Sequence, residues 1–322
     1  MQRKYLVLGA LAAVLAAGAL RAAVGFPVTD HAVVASTLGS PSSSSALEAV
    51  IDQPGPLTVE TVIGADWAVP RSGVINLKNP KAAGLVDGDE PIVIQFHAIH
   101  HPSRGLFLID TGVERALRDD PDHAAMNGLP AKFMHLEKMK FLTDTAGWLA
   151  SRREAPQGVF LTHLHLDHVS GMRDVPGGTP VYVGPGEASA KNALNYLVRP
   201  VTDRALEGKP PLREWKFTRD PEGRFEGVLD VFGDGTLFAL YVPGHTHGSV
   251  AFVARTVKGP VLFTGDACHT VWGWRHEVEP GTFSDDQKQS AESLTRLEAL
   301  VKRHPGIDVR LGHETLAAPV GG

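Results

Sequence analysis

From about residue 57 onward, apolar residues arrive in short blocks broken by glycine and proline. The stretch "PIVIQFHAIHHPSRGLFLIDTG" reads as two strands around an "HPSRG" turn. Five more blocks, "GVFLTH", "TPVYVG", "TLFALYVPGH", "GPVLFTGD" and "IDVRLGHE", each predict a buried strand that ends on a polar residue. Helical spacing lies between them. Ser284 followed by Gln287 resembles a capping box, Leu294, Leu297, Leu300 and Val301 continue at helix spacing, and "HPG" at His304 stops the segment. A second helix is predicted over about 130–153, carrying Phe133, Met134, Phe141, Leu142 and Trp148. Strands alternating with helices give an α/β protein, in which polar residues gather where strands end. One catalytic-type domain is expected over 57–322.

Upstream the pattern fades. Residues 27–56 are rich in Ser, Ala and Pro with little periodic hydrophobicity, and they read as a linker. Residues 1–26 open with the basic "MQRK", followed by sixteen uncharged, mostly apolar residues, Tyr5 to Leu20. That is the layout of an export signal. It falls short of the ~20 residues that span a bilayer, although Arg21 can snorkel and extend it. The expectation is an exported chain, periplasmic or extracellular, with the segment either cleaved or kept as a membrane anchor.

Composition narrows the partners. The formal charge of -5, with no Lys/Arg-rich run, argues against nucleic acid, leaving a small-molecule substrate as the expected partner. A single cysteine, Cys268, excludes an internal disulfide and any CxxC metal site. It reads as a small buried residue.

The chemistry concentrates in "FLTHLHLDHVSGM". His163 and His165 are two apart at the end of an apolar strand, so their side chains point the same way, and Asp167 and His168 follow in the turn. Imidazole and carboxylate suit zinc-like divalent ions, and two metals close together are the simplest occupant. Later strand ends supply His245, Asp266 and His313, each beside a glycine; Asp110 in "FLIDTG" has the same context upstream.

"THLHLDH", with "DTG", "PGHTHGS", "TGDA" and "GHE", resembles the five-motif pattern of the metallo-β-lactamase fold superfamily over about residues 60–315. The resemblance implies an αββα four-layer sandwich with a dinuclear site at one edge of two facing sheets. It implies that His163, His165 and His245 hold one metal and Asp167, His168 and His313 the other, with Asp266 bridging and Asp110 orienting a ligand histidine. The metals expected are two divalent ions, zinc first, with manganese, iron or cobalt as alternatives. "GTPVYVGPGEAS" and the helix after Ser284 look like the N-acyl homoserine lactonase branch. Such lactonases often carry a tyrosine three residues after the bridging aspartate, placed to touch the substrate carbonyl; here His269 stands there.

This ligand set predicts a metal-bridging hydroxide attacking an ester, lactone or similar acyl bond, with Asp167 as proton shuttle and His269 as a catalytic hydrogen-bond donor to substrate. No GxSxG elbow is present, in agreement. Asp266 in place of a cysteine ligand disfavours true β-lactamases. A glyoxalase II-like thioesterase stays open through "GHET", as does a phosphotriesterase. A non-hydrolytic metal or redox module is weaker, because diiron relatives usually carry a glutamate where this chain has His165. Trp272 and Trp274 are candidate cleft walls, and the Phe133–Trp148 face is a candidate acyl pocket set against plain core. His97, His100 and His101 read as solvated or supporting, and His247 and His276 as surface residues.

Overall fold

The structure is a computed structural model that describes residues 25–192 and 195–314, the side chain of Phe133 excepted. The apolar run read as an export signal or anchor therefore lies outside the described residues.

Two sheets face each other. The larger has eight strands, in spatial order Val33–Ala35, Leu212–Glu214, Val181–Val183, Gly158–Phe160, Gly105–Ile109, Asp89–His101, Thr58–Pro70 and Lys140–Phe141. The first five are mutually parallel and the rest antiparallel. The smaller has six, in the order Asp308–Arg310, Gly259–Phe263, Val250–Thr256, Leu237–Tyr241, Val228–Asp230 and Ser40–Ser42; only the first pair is parallel.

The period-2 alternation of a strand explains the four layers. In Leu237–Tyr241, Leu237 and Ala239 point into the space between the sheets and join Phe107, Phe160, Trp215 and Phe252. Phe238 and Leu240 point outward, against Leu294, Leu297 and Leu300 of the helix Gln287–Arg303. Aromatic rings fill the central layer: Phe107 stacks on Phe160 with centroids 5.3 Å apart, and Phe160 on Phe252 at 5.9 Å. Full burial of each such ring is worth about 1.5–3 kcal/mol. Val159, Leu161, Val181 and Val183 pack on the outer face of the large sheet, completing the αββα order expected.

Three boundaries differ from the reading of the pattern. Residues 27–56 are not a linker. Val33–Ala35 pairs with Leu212–Glu214, Ser40–Ser42 closes the small sheet, and Leu47 and Ile51 are fully buried. The pieces are edge strands of three residues and a five-residue helix, too short and too exposed to show a period. The helix predicted over 130–153 is two helices, Gly128–Phe133 and Thr145–Ala150. His135 in the left-handed region (φ 53°) breaks the first, and Lys140–Phe141 then pairs with the long strand Thr58–Pro70. The last helix starts at Gln287, where Asp286 caps it by accepting from Gln289 N at 3.0 Å, so Ser284 is free for another task.

Candidate metal centre

The exits of the strands Gly105–Ile109, Gly158–Phe160, Val181–Val183, Gly259–Phe263 and Asp308–Arg310 lie at one end of the sandwich, and the turn into Val250–Thr256 joins them there. Asp110, His163–His168, Glu187, His245, Asp266 and His313 follow these exits directly. Close approach of the loops depends on missing side chains: a Cβ on Gly312 would collide with Asp266 Oδ1, and one on Gly184 with the Gly248 carbonyl.

The structure brings all seven predicted donors into two groups that share one residue. His163, His165, His245 and Asp266 form one; Asp167, His168, Asp266 and His313 form the other; within each, the donor atoms lie within 4.8 Å of one another. The residues fit a pair of metal ions on their own chemistry. His163 Nε2, His168 Nε2 and Asp266 Oδ1 are buried without a hydrogen bond, which is costly unless something else meets them. His245 Nε2 and His165 Nδ1 face each other at 2.9 Å, converging on one position. His313 sets its Nδ1 against the Val93 carbonyl at 2.9 Å, which turns Nε2 toward Asp167 (3.1 Å) and Asp266 (3.2 Å).

Carboxylates and imidazoles in the cluster set one another's charge. Burial and the neighbouring imidazoles of His168 and His165 keep His163 well below the usual histidine range, so it is a neutral donor; burial acts likewise on His245. Burial opposes the charged form of His313, but the Asp266 and Asp167 carboxylates override it and push its pKa up to about 10. Burial also works against ionised Asp167, and the His168 and His313 imidazoles outweigh it, leaving a carboxylate.

Asp110 stands against His168, one of the predicted donors. Its Oδ2 accepts from His168 Nδ1 at 2.8 Å and its Oδ1 from Thr162 N at 2.8 Å, with φ at 57°, a strained value for a residue with a side chain. Sequence reasoning missed Glu187. Its fully buried carboxylate accepts from Leu164 N (2.7 Å), Thr246 Oγ1 (2.8 Å) and Gly248 N (2.8 Å), clasping the loop of His163 and His165 to the loop of His245. The one signal for it was an acid in the glycine-rich exit "GPGEAS". Ser284 Oγ lies 3.3 Å from His245 Nδ1.

His269 lines the cavity over the cluster and also meets the shared aspartate. A single 3-10 turn at Gly265–Ala267 folds it back over Asp266, and its Nε2 lies 2.9 Å from Asp266 Oδ2, with Nδ1 3.1 Å from the Val74 carbonyl. Both ring nitrogens thus face oxygens of the protein itself. The ring is held between the shared aspartate and the Val74 carbonyl at the floor of the cavity.

A cavity of about 440 Å³ opens over the cluster. Asp167, His165, His245, Asp266, His269 and His313 form its floor, and Trp67, Val69, Val74, Ile92, Met134 and Phe283 are prominent in its wall. Trp272 and Trp274 take no part: Trp274 is buried against the outer helix, and Trp272 stacks on His276 at 4.1 Å. Of the other histidines, His97 and His101 are buried rather than solvated, His97 against Phe263 and His101 beside Asp234, while His100 and His247 are exposed. Burial, with Arg310 nearby, keeps His97 neutral, lowering it to about 3. Cys268 is buried and its thiol is pushed up by burial.

Relatives carry the same plan. The chain is 28% identical to the N-acyl homoserine lactonase AttM of Rhizobium johnstonii over 245 residues, which cover 76% of this chain and 89% of that protein. It is 28% identical to AttM of Agrobacterium fabrum over 242 residues, 75% of this chain and 88% of the relative. The crystal structure of a quorum-quenching N-acyl homoserine lactone lactonase superposes with a TM-score of 0.57 at 18% identity, covering 81% of this chain and 93% of that one. The model of the metallo-beta-lactamase superfamily matches residues 92–313. From Ile92 to His313, through every strand exit that delivers a donor, the chain therefore belongs to the metallo-beta-lactamase superfamily and is one of its metal-dependent, lactonase-like hydrolases.

Proposed function

We propose that the chain opens a lactone or ester that carries an apolar acyl group, with two divalent metal ions, zinc foremost, held between the donor groups. The observation that carries this reading is the shared Asp266 at the floor of an apolar cavity. His163, His165 and His245 would hold one ion, Asp167, His168 and His313 the other, and Asp266 both. When bound, such ions supply an activated water and polarise an acyl oxygen.

The protein's own groups do the rest. Asp167 faces the cavity and takes the proton released at the attacking oxygen, then returns it to the leaving oxygen. Trp67, Val69 and Ile92 exclude water and seat the acyl group, while Asp110 and Glu187 hold the ligand loops in register. The buried Cys268, with its thiol pushed up, is no nucleophile. The lactonase names of the AttM relatives support this substrate class over others.

The test is a hydrolysis panel of lactones, thioesters, phosphotriesters and β-lactams, with zinc, manganese or cobalt added and metal content measured in parallel. Lactones with long acyl chains should be turned over fastest, by protein holding close to two metals per chain. Protein that is fully loaded yet inert on lactones, while cleaving thioesters or phosphotriesters, would overturn the reading.

A further inference from the structure

Apolar side chains do not stop at the mouth of the cavity. Phe283 and Leu197 line it and remain 42% and 46% exposed, so the wall continues onto the surface. Tyr196, 64% exposed, precedes Leu197 in the same helix, with its ring 5.3 Å from Phe26. Leu129, 79% exposed, sits on the helix Gly128–Phe133 that packs against the helix Asn195–Ala205. Single exposed apolar residues are ordinary on a soluble surface, but a group around one opening marks an interaction site.

The entry point of the chain says what covers it. Phe26–Pro27 pairs with Lys191–Asn192 at this rim, and Val28, the next residue, lines the cavity. Five residues, Arg21–Gly25, separate Phe26 from the end of the apolar run Tyr5–Leu20. Even fully extended, that connection reaches only about 20 Å. Nearby charges are mixed and partly spent: Lys132 and Lys191 stand exposed, and Arg199 pairs with Asp30 at 2.6 Å. The rim is thus suited to hydrocarbon rather than to a strongly charged partner, and a tyrosine with an apolar body and polar tip suits a membrane interface.

We infer that the mouth of the cavity is a lipid-docking surface. Phe26, Tyr196, Leu197 and Phe283 rest on a phospholipid bilayer that the run Tyr5–Leu20 enters, and amphiphilic substrates reach the site from the membrane. The contact is independent of which bond is cleaved.

The test uses the full chain, purified in mild detergent and reconstituted with phosphatidylcholine vesicles. The native thiol, Cys268, is buried, so Leu197→Cys accepts a polarity-sensitive fluorophore at one place. Val257→Cys is the control: it is exposed in the turn before Gly259–Phe263, at the opposite end of that strand from Asp266. The label at 197 should shift to the blue and be quenched by lipids brominated on their tails, and the label at 257 should do neither. Adding Tyr196→Ser and Phe283→Ser should abolish the quenching at 197. Protein that stays off the vesicles, or that floats with them while position 197 reports water, overturns the proposal. So does a blue shift that needs no vesicles and grows with protein concentration, which would assign the rim to a second copy.

Discussion

Along the floor of the cavity, six polar side chains are delivered by the exits of four strands or turns, and each is fixed by a named partner. Along the wall, Trp67 and Val69 come from one long strand, Ile92 from its neighbour, Met134 from beyond a short helix and Phe283 from a loop; none of them shares a motif. The floor must satisfy directional bonds, since an orphaned buried donor or acceptor costs about 1–3 kcal/mol. The wall has only to exclude water, and many apolar residues of suitable size can do that. The floor therefore tolerates little change, while the wall is where related chains can diverge in what they accept.

Variants can separate the two. Asp167→Asn should lower kcat by about 10²-fold or more, the scale of a lost proton-transfer group, and by the same factor on short and long acyl chains. Steady-state kinetics on a chain-length series checks this; a loss confined to long chains would place Asp167 with the wall.

Glu187→Ala should weaken metal binding by about 10- to 100-fold, the usual effect of removing a partner that orients ligands, and Glu187→Gln should recover part of it. Metal titration against a chelator reads the affinity, and unchanged affinity in the alanine variant would reduce Glu187 to packing. His269→Ala should fall at the lower end of that range, because His269 holds Asp266 at 2.9 Å. If it leaves metal affinity untouched and weakens only substrates with a carbonyl, His269 serves the substrate after all.

On the wall, Met134→Ala should raise KM for long acyl chains by roughly tenfold and leave short ones and metal content unchanged, since about 1.5 kcal/mol of apolar contact is lost. A uniform loss across chain lengths would mean that the wall shapes the floor.

The smallest effect lies outside both regions. Glu298, buried on the outer helix with Oε1 unpartnered, has its pKa raised to about 7 by burial and by Glu277. The folded state holds this proton more tightly than the unfolded chain, so stability is present below about pH 4.5 and is lost as pH rises toward 7. Discounted for screening, Glu298→Gln should gain up to about 2 kcal/mol at pH 8 and nothing at pH 4.5. Unfolding curves at the two pH values test the sign, with catalysis unaffected.

The identity of the floor was written in the chain. Donors such as His163, His165, Asp167 and His168 lie within six positions, and His245, Asp266 and His313 each follow an apolar strand beside a glycine, so local geometry alone delivers them. The αββα layering followed from the same strands. Tertiary structure decided the rest, and for a physical reason. Edge segments such as Val33–Ala35 and Ser40–Ser42 bury too little to show a period, so only pairing across the sheets defines them. Glu187 reaches Leu164 and Gly248 across two loops, a relation that no spacing encodes. His269 turned onto Asp266 because a 3-10 turn intervenes. The wall of the cavity, with Val28 and Phe283 more than two hundred positions apart, exists only once the chain has closed on itself.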